Sequence, residues 1–209
     1  MDKLVSKYFS SLSISQNEKL NRLKEVYSSW NSKINLVSRK DMDNFILHHV
    51  IHSLSISMIT GFKPGTRILD AGTGGGLPGI PLAIAFPEVS FTLVDSIRKK
   101  INAVHDMAQT LELENVNTIW SRIEEVNGTF DFVISRAVAP MPKLVEWAAE
   151  KLDNHSINIL DNGIIALKGG RLSDELKDYP ECKIYLLSDF FDEEYFSEKK
   201  IVYLPLVRI

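Results

Sequence analysis

The run Arg67–Pro81, R-I-L-D-A-G-T-G-G-G-L-P-G-I-P, limits what this chain can fold into more than any other stretch. Ile68 and Leu69 end a short apolar run, Asp70 follows, and glycines stand at 72, 74, 75 and 76. Pro78 then opens a helical pattern of apolar residues through Ile80, Leu82, Ala83, Ile84 and Phe86. The order is strand, glycine turn, helix. Without side chains the turn can admit a ligand against bare backbone, and the amides at the helix start suit a negative group. A glycine-rich loop alone is weak evidence of a site. Set between a strand and a helix, with acids at fixed distances, it is far more specific.

From Arg67 onward strand and helix patterns alternate. Strands are expected at Arg67–Ala71, Ser90–Asp95, Val116–Trp120, Phe130–Ser135 and Gly163–Lys168, the last ended by Gly169-Gly170. Helices are expected over Pro78–Phe86, Ile97–Leu111, Leu144–Lys151 and, briefly, Ser173–Asp178. Two late strands, Lys183–Ser188 and Lys200–Val207, are joined by an acidic loop from Asp189 to Glu198. Such alternation builds a mostly parallel sheet covered on both faces. The last two strands have no helix between them and should pair as an antiparallel hairpin. The expected fold is therefore α/β: a seven-stranded, mostly parallel, Rossmann-like sheet closed by an antiparallel C-terminal hairpin, the class I methyltransferase arrangement.

Residues 1–62 read instead as a helical extension, with 63–209 as the α/β domain. Leu4, Tyr8 and Leu12 recur at helical spacing. Ser15–Glu18 offers a capping box ahead of Leu20, Leu23, Tyr27 and Trp30, and Ser38–Asp41 offers a second ahead of another amphipathic helix. Gly61 and Pro64-Gly65 stop that helix. The net charge of −3 is unevenly spread. Residues 1–60 hold eight Lys/Arg against five Asp/Glu, while the remainder holds sixteen against twenty-two. That is either surface scatter or a lean of the N-terminal segment toward a polyanion.

Composition excludes several classes. With 44% hydrophobic residues the chain has a real core, yet no apolar run approaches the ~20 residues of a membrane span. The start, Met1-Asp2-Lys3-Leu4, lacks a signal peptide's apolar stretch. Cys182 is the single cysteine, so no internal disulfide forms, and a cytoplasmic location is expected. No Cys/His cluster has metal-ligand spacing. His48 and His52 can share a helix face, which reads as a polar face or an RNA contact before a metal site. A monomer is the default expectation.

In a doubly wound sheet, ligands sit at the carboxyl ends of the strands. Asp70, Asp95, Glu124 and Arg136 all fall at or just beyond such ends. Two cofactors compete for that crevice. Gly74-x-Gly76-x-x-Gly79 fits the dinucleotide pattern, with Asp95 about 20 residues on. Against NAD, Asp70 precedes the glycines, where an ammonium or a bound water is welcome and a pyrophosphate is not. Pro78 also removes an amide from the helix start. S-adenosylmethionine, with a sulfonium and an amino-acid end, suits an acid-flanked glycine loop better. In that reading Gly72, Gly74 and Gly76 give the methionine part access to backbone. Asp95 accepts from the ribose hydroxyls, unless it is only a helix N-terminal acid. Ile123-Glu124 edges the adenine, unless it is a solvated loop. Arg136 faces the cleft mouth, unless it is a surface arginine.

The combination D-A-G-T-G-G-G-L-P-G-I-P-L-A-I, F-T-L-V-D-S, S-R-I-E-E, F-D-F-V-I-S-R-A and A-L-K-G resembles the RsmG (GidB) family. These are bacterial methyltransferases for N7 of a guanine in small-subunit (16S) ribosomal RNA. W-N-S-K-I-N-L-V-S at Trp30–Ser38 is similar to that family's N-terminal signature. The likeness runs from about Trp30 to the last strand. It implies S-adenosylmethionine as cofactor, with contacts on Gly72, Leu77, Ile123, Glu124 and Arg136. It also implies a 16S RNA or small-subunit partner, with Arg122, Arg136 and Lys168 toward the RNA or the reaction centre. His48-His49 stands where the family often has Arg-His.

Guanine N7 carries a free lone pair, so alignment and electrostatics should dominate over general-base work. The sequence has no catalytic-cysteine motif and no Asn-Pro-Pro-Tyr tetrad. Arg136 or Lys168 could orient the base through O6. Lys33, Arg39, Lys40, Arg98, Lys99, Lys100 and Arg171 are candidates for phosphate contacts or are plain solvated charges. The rivals are a class I methyltransferase with a small-molecule or protein substrate, an RNA-binding module without catalysis, and the NAD enzyme.

Overall fold

The computed structural model describes residues 2–205. A seven-stranded sheet has the order β3-β2-β1-β4-β5-β7-β6. Its strands are β1 (Arg67–Ala71), β2 (Ser90–Asp95), β3 (Val116–Trp120), β4 (Phe132–Arg136), β5 (Gly163–Gly169), β6 (Lys183–Leu186) and β7 (Lys199–Pro205). β1 to β5 pair in parallel; β7 lies antiparallel between β5 and β6. The expected hairpin therefore forms, with its second strand inserted next to β5. Of the stretch expected as its last strand, Leu206 and Val207 lie outside the described residues.

The helices are α1 (Lys3–Tyr8), α2 (Ile14–Asn31), α3 (His52–Leu54), α4 (Gly79–Ala85), α5 (Arg98–Thr110) and α6 (Met141–Ala148). Strand periodicity divides the core in two. Ile68, Phe91, Leu93, Phe132, Ile134 and Ile165 project to one face, where they join residues of α4 and α5 and Leu20, Leu23, Tyr27, Phe45 and Leu54 of the N-terminal segment. Leu69, Val94, Val133, Ile164 and Ala166 project to the other, packing with Met141, Leu144 and Ala148 of α6. Buried on both faces, the central strands read as near-continuous apolar runs. No helix among the described residues is long and apolar enough to cross a membrane.

Several local expectations are corrected. The capping box of α2 is Ser13 with Gln16, not Ser15 with Glu18. Ser13 Oγ accepts from Gln16 N at 3.2 Å, and Gln16 Oε1 accepts from Ser13 N at 2.7 Å. Ser38 makes no side-chain cap, and only a 3₁₀ turn, Arg39–Asp41, follows it. The next helix starts as a π-helical turn, Ile46–Ile51, passes into α3 and tightens to 3₁₀ at Ser55–Met58. α6 begins three residues earlier than expected, because Pro142 is tolerated in a first turn. The Ser173–Asp178 stretch forms turns, not a helix. His52 is buried and His48 is half-buried against Tyr195, ring centroids 3.9 Å apart, so the face they share is packed within the fold.

Candidate functional site

A cleft of about 440 Å³ opens at the carboxyl ends of β1, β2 and β4. Its floor is the glycine loop. Gly72 and Gly74 have φ of +69° and +58°, a left-handed backbone that side chains resist. A Cβ on Gly72 would lie 2.7 Å from Val138 Cγ1, whereas one on Gly74 meets nothing nearer than 4.0 Å. Position 74 is thus open backbone facing the cleft.

Asp95 ends β2 and ties this floor to the next helix. Its Oδ2 accepts from Gly74 N at 2.9 Å and its Oδ1 from Ile97 N at 2.8 Å. Asp95 therefore lines the cleft and also steadies the entry to α5. Beyond β3, Arg122, Ile123 and Glu124 form another wall. Glu124 Oε1 accepts from Trp147 Nε1 at 2.8 Å, and Lys151 Nζ donates to the carbonyls of Glu124 and Val126 at 2.9 and 2.6 Å. That lysine holds the turn closed. Arg122 is exposed at the rim.

The opposite wall carries Arg136, the last residue of β4. Its Nη2 lies 2.7 Å from His49 Nδ1, and Nη1 lies 3.5 Å from the His49 carbonyl. Among the described residues no carboxylate lies within salt-bridge distance of it. Burial lowers its pKa, an arginine remaining cationic all the same. A mostly buried guanidinium with a neutral partner leaves its charge available to whatever enters the cleft.

Gly72, Gly74, Leu77, Asp95, Arg122, Ile123, Glu124 and Arg136 are thus brought together around one cleft. Three other expected site residues are not. Asp70 is wholly buried beneath the loop. Its Oδ2 accepts from Thr73 Oγ1 at 2.6 Å and Gly79 N at 2.9 Å, and burial pushes its pKa up to about 7. It braces the loop from below and does not line the cleft. Gly76 faces inward, where a Cβ would lie 2.7 Å from Ile80 Cγ1 and 3.3 Å from the Tyr27 hydroxyl. Lys168 is already engaged, 2.6 Å from the Ala139 carbonyl and 2.7 Å from Glu175 Oε1. Glu175 Oε1 also accepts from Met141 N at 2.6 Å. Lys168 therefore fixes the loop after Arg136 and does not reach the cleft.

The expected phosphate contacts are scattered. Lys33, Arg39 and Lys40 are exposed on the segment that also carries Leu36 and Val37 to the cleft wall. Lys33 Nζ lies 4.7 Å from the Trp30 ring centroid. Arg171 is exposed away from the cleft, its Nε donating to Ser173 Oγ at 3.0 Å. Lys100 lines the cleft, and Arg98 sits 5.0 Å from the Trp120 ring centroid.

The N-terminal contribution was missed. Asn31 Oδ1 accepts from Leu36 N at 2.8 Å and Val37 N at 3.1 Å, while its Nδ2 donates to Val37 O at 2.8 Å. This staple sets Leu36 against Gly75, where an added Cβ would be 3.1 Å from Leu36 Cβ. The buried Tyr27 hydroxyl donates to Gly75 O at 2.7 Å. His49 and Trp147 also line the cleft. The W-N-S-K-I-N-L-V-S motif was a usable signal for the Leu36–Val37 contact. Periodicity put Tyr27 and His49 on the inward faces of their helices but gave no sign that they reach Gly75 and Arg136.

Residues 16–191 match the family model described as rRNA small subunit methyltransferase G. Among curated proteins, Ribosomal RNA small subunit methyltransferase G of Christiangramia forsetii is 53% identical over 97% of this chain and 96% of its own length. The protein of the same name from Flavobacterium johnsoniae is 50% identical over 99% and 98%. Among solved structures, magnesium protoporphyrin IX methyltransferase (ChlM) from Synechocystis with bound SAM aligns with a TM-score of 0.59 at 15% identity, covering 93% of this chain and 98% of that one. A SAM-dependent methyltransferase from Aquifex aeolicus aligns with a TM-score of 0.53 at 15% identity, over 73% and 88%. These two carry the fold and no more.

Proposed function

The chain belongs to the rRNA small subunit methyltransferase G family, and from that premise we propose that it methylates N7 of a guanine in small-subunit (16S) ribosomal RNA, using S-adenosylmethionine, in the cytoplasm. The observation that carries this reading is the pairing, in one cleft, of an open glycine floor with an arginine that has no carboxylate partner among the described residues.

The residues present suit the cofactor. Backbone at Gly72 and Gly74 would hold its methionine part, Asp95 its ribose hydroxyls, and Leu77, Ile123 and Glu124 its adenine. Arg136 offers positive charge to acceptor oxygens: the carboxylate of the cofactor's amino-acid end and O6 of an incoming guanine. When bound, S-adenosylmethionine supplies an electrophilic methyl group.

Proton handling supports N7 as the acceptor. Among the titratable groups lining the cleft, Asp95 already takes an amide on each oxygen, and Glu124 is held by Trp147. His49 has its acceptor nitrogen occupied by Arg136. Guanine N7 needs no proton removed, so none of these groups is asked to act as a base. The chain's work is then alignment and a fixed electrostatic field. Arg122 at the rim and Lys33, Arg39 and Lys40 on the N-terminal segment would meet RNA phosphates, with Arg171 a further contact.

The test is transfer of labelled methyl from S-adenosylmethionine to small-subunit RNA from cells lacking this protein, followed by mapping of the modified base. One labelled guanine, cleavable as an N7-methylated base, is the expected result. Label on another atom, or donor binding with no transfer to RNA or to subunits, would overturn it.

A further inference from the structure

We propose that His49 is a positioning residue: a neutral acceptor that fixes Arg136 toward the cleft without cancelling its charge. This rests on the role given to Arg136 above. A guanidinium can only donate, so the 2.7 Å contact makes His49 Nδ1 the acceptor and places the ring proton on Nε2. That Nε2 is buried with no hydrogen-bond partner. Packing alone would favour an apolar side chain at such a position, so the unpaired donor accompanies a requirement for the acceptor.

The surroundings keep the ring neutral. Burial, reinforced by the Arg136 charge, lowers its pKa to about 4. The backbone holds the ring in place: His49 lies in the π-helical turn Ile46–Ile51, and such turns recur at functional sites. Phe45 packs against it at a tilt of 43°, with ring centroids 5.5 Å apart. A carboxylate here would grip Arg136 more tightly, yet would turn it into a closed ion pair with little positive potential left for a ligand.

The experiment compares His49→Asn with His49→Asp, side chains of nearly equal shape that differ by one charge. S-adenosylhomocysteine and S-adenosylmethionine affinities are measured by calorimetry, methyl transfer on small-subunit RNA is assayed, and melting temperatures are recorded. Expected is near-wild-type donor affinity and transfer for Asn, and a loss of about tenfold or more in both for Asp, with Asp melting no lower than Asn. Equal effects of the two variants, or a loss in Asp that merely follows its melting temperature, would overturn the assignment. Donor binding by the wild type without RNA methylation would overturn the ribosomal RNA reading and leave the affinity comparison to decide on His49. A wild type that binds no donor would overturn both.

Discussion

The two walls of the cleft are built on opposite principles. Under the glycine floor, on the β1–β2 side, the two acid side chains are turned to the protein's own backbone: Asp70 holds Gly79 N, and Asp95 holds Gly74 N and Ile97 N. On the β4 side Arg136 rests on an imidazole and keeps its charge. The first wall is a fixed shape, the second an available field. Shape can be satisfied within the fold, whereas a field directed at a ligand has to be left unneutralised, and a part-buried cation so left is costly without one. The neighbouring cation Lys168 sharpens the contrast. It ends in the same region yet is consumed by Ala139 O and Glu175, and so belongs to the scaffold.

The largest expected effect falls on the field wall. Arg136→Ala should cut methyl transfer by roughly a hundredfold or more, with the melting temperature little changed; wild-type turnover would erase the distinction between the walls. A second test breaks the shape wall by pH. The Asp70 pKa is raised from 3.8 to about 7, so the folded state keeps a proton that the unfolded state has lost. Stability from this group therefore declines as pH rises through that window. His49 acts oppositely: with its pKa lowered from 6.5 to about 4, stability is lost as pH falls across that interval. Asp70→Asn should flatten the high-pH decline by roughly 4 kcal/mol while leaving the acid limb intact, measured as unfolding free energy between pH 4 and 8. An unchanged profile would mean that Asp70 is not held protonated. The smallest effect is expected at Lys168→Ala, which loosens the loop after Arg136. Transfer should fall about tenfold with donor affinity nearly unchanged; a loss as deep as that of Arg136→Ala would return Lys168 to the reaction centre.

Much of this was legible in the sequence, for identifiable reasons. The strands buried on both faces announce themselves as apolar runs, and residues at their carboxyl ends must share one edge. That rule pointed to Asp70, Asp95, Glu124 and Arg136, and the last three do line the cleft. What failed depended on which way a side chain turns. Asp70 and Lys168 occupy strand positions next to the cleft, but their partners, Gly79 N and Glu175, come from other segments. Glu175 lies in a stretch whose pattern suggested a helix and which forms turns. Helical spacing sets His49 with Val50 among the inward positions of its helix, and only tertiary contact with β4 reveals Arg136 as its partner.

The Tyr27 hydroxyl on the Gly75 carbonyl has a practical outcome for anyone recombining these enzymes. The first helices are a piece of the floor's undercarriage, so a chimera joining this sheet to a relative's N-terminal helices inherits a working loop only if the donor brings a phenol to the same spot. Trimming those helices to obtain a smaller catalyst would remove the prop along with the ornament.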